Sequence, residues 1–386
     1  MTQHWIPKHS KSHDGLQEFS PRSLNGSSFD AIVVPTNRPV RYLNDCIDLA
    51  GRTTIPLIVV CSKRVTKYEV IDAAAQKNVE SFAVDLPPQS DNLLRGISFS
   101  TSTNKQILAF TSGQTRDLSS KRNLGLVIAR MCGWQRLMFL DDDIQDVSNT
   151  DVAALAAGLD DHTVSVLIPD EFPDNSVACH ANRLGGEEQG KFAGAGSMGV
   201  RCDSDQLGFF PNIYNDDWFF FAREAADRKI AEVGRSRQRV YDPYADPERA
   251  VKEEFGDLLA EGLYARLDDQ LDMPSADAAY WRDFKEIRKE FLRNVATSLA
   301  GRLKEPGLTN DEQREIQAAQ VSIRHAQRQL RRIRPTLCQM FIELWQDDLA
   351  EWHRYLTKLP HVESIEDSLD HLGLEYEASR SPGTPS

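Results

Sequence analysis

The sequence predicts an α/β protein in which a mainly parallel sheet is flanked by helices and followed by an α-helical C-terminal domain. Three observations carry that prediction. From Phe29 to about Asp170, short apolar runs alternate with helix-like segments. The runs are short and apolar enough for strands buried on both faces. After Tyr244 the apolar spacing changes to gaps of three and four, the period of a helix.

The expected strands are DAIVVP, PLIVVC, SFAVDL, QILAF, RLMFL and VSVLIP. Between the fourth and fifth, SSKRNLGLVIARMCGW places Leu124, Val127, Ile128 and Met131 on one helical face, with Lys121, Arg122 and Asn123 near the helix start. ADPERAVKEEFGDLLAEGLYARL reads as a helix with Asp246 as N-cap, Pro247 at the first position and a stripe of Val251, Phe255, Leu258 and Leu259. Ile316, Ala319, Ile323, Ala326, Leu330 and Ile333 form the seam of a further helix that must pack along a partner. Arg334–Pro335 breaks it, and Leu337, Phe341, Leu344, Trp345, Leu349, Trp352 and Leu356 continue as the last helix. The partner is either that last helix or the preceding one, through Phe284, Ile287, Phe291 and Val295. The expected divisions are a disordered segment 1–28, a sheet domain 29–244, a helical domain 245–360 and a partly disordered tail 361–386.

The chain has 386 residues and a net charge of -13, which argues against nucleic acid as the main partner because a phosphate-tracking surface needs excess Lys and Arg. Six cysteines with no CxxC pair suggest neither a zinc site nor a disulfide framework, and a cytoplasmic location is expected. No signal-peptide core or membrane-spanning apolar run is visible.

The sharpest local feature is RLMFLDDDIQDV, where Asp141, Asp142 and Asp143 follow an apolar strand. Adjacent carboxylates repel and raise one another's pKa, so water or a cation must compensate them. Strand alternation would put Asp141 and Asp143 on one side and Asp142 on the other. At the carboxyl end of a sheet strand that pair suits a divalent metal; a solvated loop or a cap on the next helix are the alternatives.

Four segments in order, AIVVPTNRP, SSKRNLGLVIARMCGWQRLMFLDDDI, GKFAGAGSMGVR and FFPNIYNDDWFF, resemble the motifs of GT-A-fold glycosyltransferases, particularly family 2-like ones, over roughly residues 29–230. The resemblance implies a GT-A-like sheet, a nucleoside-diphosphate sugar donor, a hydroxyl acceptor and Mn2+ or Mg2+. It makes Asp143 the direct metal ligand and places Asp141 on the metal or the nucleotide ribose, with Asp142 beside them. Pro35, Thr36 and Arg38 fall where the family's nucleotide loop begins. Lys121, Arg122 and Asn123 match its Arg-Asn helix start, and the two cations could contact diphosphate or ribose there or form a solvated helix face. Ser62 stands close to where many relatives carry a base-holding aspartate, which leaves the base open. Asp217, with Asp216 beside it, matches the acid that takes the acceptor's proton in inverting members; capping of the following helix is the alternative.

GAGSMG lacks P-loop spacing and reads as a close-packed strand and turn under the donor sugar. His180 and Arg183 in HANRLGG read as solvated or structural, and Arg328, Arg331, Arg332 and Arg334 as a solvated helix flank. The expected activity is metal-dependent glycosyl transfer with inversion. The rivals are a sugar-nucleotide mutase or nucleotidyltransferase, since VVPTNRP and DDD also resemble the plant-type reversibly glycosylated polypeptide group, and a non-catalytic scaffold. The C-terminal helices would pack beside the acceptor site or mediate a homo-oligomer.

Overall fold

A computed structural model describes residues 15–19, 26–87, 94, 96–111, 117–170, 176–188 and 190–380. In chain order the strands are β1 (Gln17–Phe19), β2 (Ala31–Thr36), β3 (Leu57–Cys61), β4 (Ser81–Asp85), β5 (Arg136–Leu140), β6 (Ile144–Gln145), β7 (Val164–Asp170), β8 (Ser197–Arg201), β9 (Ile230–Gln238) and β10 (Tyr376–Ser379). The helices are α1 (Asn44–Thr53), α2 (Lys67–Ala75), α3 (Ser100–Thr103), α4 (Lys105–Thr111), α5 (Asp117–Met131), α6 (Asn149–Gly158) and α7 (Val177–Leu184). After them come α8 (Asp216–Phe220), α9 (Ala222–Ala226), α10 (Glu248–Asp268), α11 (Ala278–Arg302), α12 (Asn310–Arg332), α13 (Pro335–Leu356) and α14 (Ile365–Leu372).

The strands form one Rossmann-like mixed sheet in the order β1-β9-β7-β8-β5-β2-β3-β4-β10, with β6 pairing β9. Strands β4, β3, β2 and β5 run parallel, with Val33 opposite both Ile58 and Phe139. Strand β8 lies antiparallel between β5 and β7. From β2 the chain moves to β3 on one side and returns as β5 on the other. The carboxyl ends of β2 and β5 thus form a topological switch point, where a crevice for ligands opens.

One face of the sheet packs with α1, α2 and α6, around Ile47, Val70 and Leu155. The opposite face joins α5 and the C-terminal helices in one core that runs from Val33 and Phe139 through Phe255 and Phe284 to Trp352. The boundary at Tyr244 is a change of spacing and not of core. Helix α12 buries Ile316, Ile323 and Leu330 and packs along both the preceding helix α11 and α10, the latter a partner the sequence did not suggest.

QILAF is helical and not a strand. The Asn104 side chain accepts the amides of Gln106 at 2.9 Å and Ile107 at 3.3 Å, starting a turn that buries Ile107 and Thr111, four residues apart. The N-terminal segment is ordered in part: Leu16 is buried and β1 extends the sheet beside β9. The tail likewise forms α14 and β10, with Tyr376 opposite Val84. Residues 1–14, 20–25 and 381–386 lie outside the described residues. Asp246 accepts the Glu248 amide at 3.0 Å, while Pro247 occupies the N-cap of α10. No helix among the described residues is long and apolar enough to cross a membrane.

The helical layer carries charge in its interior. Arg288 of α11 is fully buried and donates to Glu254 at 3.0 and 3.1 Å, to Asp257 at 2.7 Å and to both oxygens of Glu261 at 2.7 Å. Burial pushes the Glu254 carboxyl up to about 7, against the pull of Arg288. In the unfolded chain a glutamate ionises near about 4.3, so the folded state holds its proton to higher pH. The stability that Glu254 contributes is therefore complete below that value and is lost as pH rises through the folded pKa. The melting-temperature difference between the native protein and Glu254→Gln is expected to shrink from about pH 5 to about pH 8. A difference independent of pH would contradict this.

Candidate functional site

At the switch point, β2 ends in Thr36, β3 leads into Ser62 and β5 gives way to the aspartates. Past Leu140 the chain leaves the strand in a turn closed by the Ile144 amide on the Asp141 carbonyl at 3.1 Å. Strand alternation therefore stops applying, and Asp142 does not point away. It accepts Thr36 Oγ1 at 2.6 Å and Arg38 Nη1 at 2.6 Å. The same guanidinium lies 2.7 Å from Asp143, and Gln238 donates to Asp143 at 3.4 Å. Asp141 turns instead to Arg122, at 2.9 and 3.1 Å. Two arginines, on a loop and a helix, compensate the three charges. Burial works against the charge on Arg38, yet Asp143 and Asp142 hold its guanidinium above the usual arginine range.

Lys121, Arg122 and Asn123 lie in the second turn of α5, all buried. They stand near the helix start, one turn in, and their side chains bind parts of the fold to one another. Lys121 Nζ donates to the Thr36 carbonyl at 2.6 Å, Ser62 Oγ at 2.7 Å and Asp117 at 3.4 Å, which ties the ends of β2 and β3 to α5. Ser62 donates to Asp117 at 2.6 Å. These bonds engage all three ammonium protons in this arrangement. Asn123 exchanges two hydrogen bonds of 2.8 Å with the Phe210 backbone. Pro35 is a buried strand residue opposite Val60.

Arg122 joins the two acidic clusters: besides Asp141 it donates to Asp216 at 3.0 Å. Ser119 donates to the other oxygen of Asp216 at 2.8 Å. Burial pushes Asp141 up to about 7, against the pull of Arg122. Asp216 is raised by burial in the same way, again opposed by Arg122. The Asp141 side chain keeps 26 % of its surface open, whereas that of Asp216 keeps 8 %. Asp217 is half-buried; it accepts the Ala195 amide at 2.9 Å and the Trp218 amide at 3.0 Å. Neither aspartate is an N-cap, because Asn215 takes that position and makes no capping bond. Arg122, Asp141, Asp216, Asp217, Ser197 and Trp218 line one cleft of about 480 Å³, at which GAGSMG contributes the start of β8.

Among the described residues no three His, Cys, Asp or Glu side chains converge to cage a metal. The expected pairing of Asp141 and Asp143 on one side is not seen, because Asp141 faces Arg122 while Asp143 shares Arg38 with Asp142; a Mg2+ or Mn2+ there would have to take most of its ligands from phosphate and water. His180 and Arg183 line a separate groove of about 1040 Å³ with Tyr241, Arg302 and Arg314. Arg328, Arg331, Arg332 and Arg334 are exposed.

The sequence reading missed Asp117, Ser119 and Gln238 as partners of the site, and Asn215 as the residue that leads into the second acidic pair. Ser119 and Asp117 stand three and five residues before Arg122 on one helix, the only local hint of their role.

The site belongs to a Rossmann-like α/β layer protein with acidic residues at the carboxyl edge of its sheet. No family model matches the chain, and no curated protein matches it. Among solved structures it has a distant likeness to the Mn/GDP form of core-mannan synthase A (CmsA/Ktr4) from Aspergillus fumigatus, at 12% identity and a TM-score of 0.27, over 59% of this chain and 72% of that one.

Proposed function

We propose that this protein is a glycosyltransferase that moves a sugar from a nucleoside-diphosphate donor to a hydroxyl acceptor, with inversion and with a divalent cation. One observation carries the reading: Arg122 bridges the strand-end carboxylate Asp141 and the acidic turn Asp216–Asp217 across a single cleft at the switch point of the sheet. Asp141 on the donor side and Asp217 on the acceptor side then face one ligand space.

Asp143 and Asp141 would hold Mn2+ or Mg2+. When bound, that ion supplies Lewis-acid compensation for charge that grows on the departing diphosphate. Arg38, whose side chain is 38 % exposed, exchanges its carboxylate partners for diphosphate oxygens. Arg122 keeps Asp141 and Asp216 in place, and Asp217 takes the proton of the acceptor hydroxyl. The six free cysteines support a cytoplasmic setting.

The test is Asp143→Ala, assayed by equilibrium binding of UDP- and GDP-sugars with and without Mn2+. Loss of the Mn2+-dependent part of donor affinity, in a variant that melts normally, is expected. Donor affinity unchanged in the presence of Mn2+ would sink the proposal.

A further inference from the structure

The acidic turn is gripped from the helical side. Asn215 adopts φ 62° and ψ 37°, in the left-handed region, and its amide donates to Asp257 Oδ1 at 3.1 Å. That bond does nothing for the end of α8, which Asn215 leaves uncapped. It fixes the turn to α10. The opposite oxygen of Asp257 receives Arg288 at 2.7 Å. Tyr264 of α10 donates to the Trp218 carbonyl at 2.9 Å. Gly256 lets α10 approach so closely that a Cβ there would collide with the Tyr214 carbonyl oxygen. Residues 214 to 218 are thus held at three points by one helix, with the Asp217 carboxylate projecting from the middle of the clamp.

We propose that Asn215 and Asp257, with Arg288 behind them, are positioning residues for Asp217: the helical layer aims the carboxylate that receives the acceptor's proton. The inference rests on the reading of Asp217 as that base. An error of about 1 Å in such a group can cost about a hundredfold in rate, so a relay of buried, fixed bonds is a suitable support.

Arg288→Ala endangers the fold, so the test uses Asn215→Gly, which keeps the left-handed backbone and removes only the amide. Three measurements are made on Asn215→Gly, Asp217→Asn and the double variant: hydrogen exchange at the Ala195 amide, equilibrium binding of UDP and GDP with Mn2+, and release of nucleoside diphosphate from UDP-glucose and GDP-mannose. In Asn215→Gly the Ala195 amide, which Asp217 accepts, is expected to exchange at least about tenfold faster, and turnover to fall about ten- to a hundredfold, with nucleotide affinity unchanged. In the Asp217→Asn background the same substitution should lower turnover by less than about twofold, because it acts through Asp217. Unchanged Ala195 exchange overturns the inference, as does an equal loss of turnover in both backgrounds. Near-normal turnover in Asp217→Asn overturns the base reading instead, and the exchange result still decides whether Asn215 holds the carboxylate.

Discussion

Arg288→Ala is expected to lower the unfolding free energy by about 3–5 kcal/mol, enough to leave a domain of ordinary stability largely unfolded on mild warming. The reason is the arithmetic of charge: one guanidinium compensates Glu254, Asp257 and Glu261, all of them buried. Without it the carboxylates must take up protons or admit water. The loss should therefore be greatest near neutral pH and smaller near about pH 5, where protonation is easier. Denaturant unfolding at the two pH values measures this. A loss below about 1 kcal/mol, or one that does not vary with pH, would mean that the acids are compensated elsewhere.

The second large effect is on rate. Asp217→Asn is expected to lower turnover by at least about a hundredfold, about 2.7 kcal/mol in the barrier, while donor affinity stays within about twofold. The amide can keep the bond from the Ala195 amide through its oxygen, so the fold should be spared and the proton acceptor lost. Steady-state turnover beside equilibrium donor binding separates these. Near-normal turnover would remove Asp217 from the chemistry; Asp216, locked to Arg122 and Ser119, is not free to replace it.

The parallel strands were legible because burial on both faces leaves a run of Val, Ile and Leu that few other elements share. QILAF misled because five apolar-rich residues fit either period, and the deciding Asn104 cap lies outside the run. Strand β9 escaped notice because Arg235 and Arg237 interrupt its apolar residues; its pairing with β7 and β1 orders it. At the site, the place of the aspartates at a strand's carboxyl end could be read, but their compensation could not. Arg38 and Asp142 are 104 positions apart. Carrying strand geometry past Leu140 as far as Asp143 also misplaced Asp142. The Arg288 network left a fainter trace: Glu254, Asp257 and Glu261 recur at helical spacing among apolar residues, an arrangement a solvated helix face would not need.

The pairing of β10 with β4 has a consequence for how the chain matures. Ser81–Asp85 is synthesised before its partner Tyr376–Ser379, which follows all the other strands of the sheet. Throughout that interval β4 presents an open row of backbone donors and acceptors, the template on which strands of other molecules add. Closing it requires a contact of very large sequence separation, which forms slowly. Until Tyr376–Ser379 has docked, that edge is the place where pairing with other chains competes with folding.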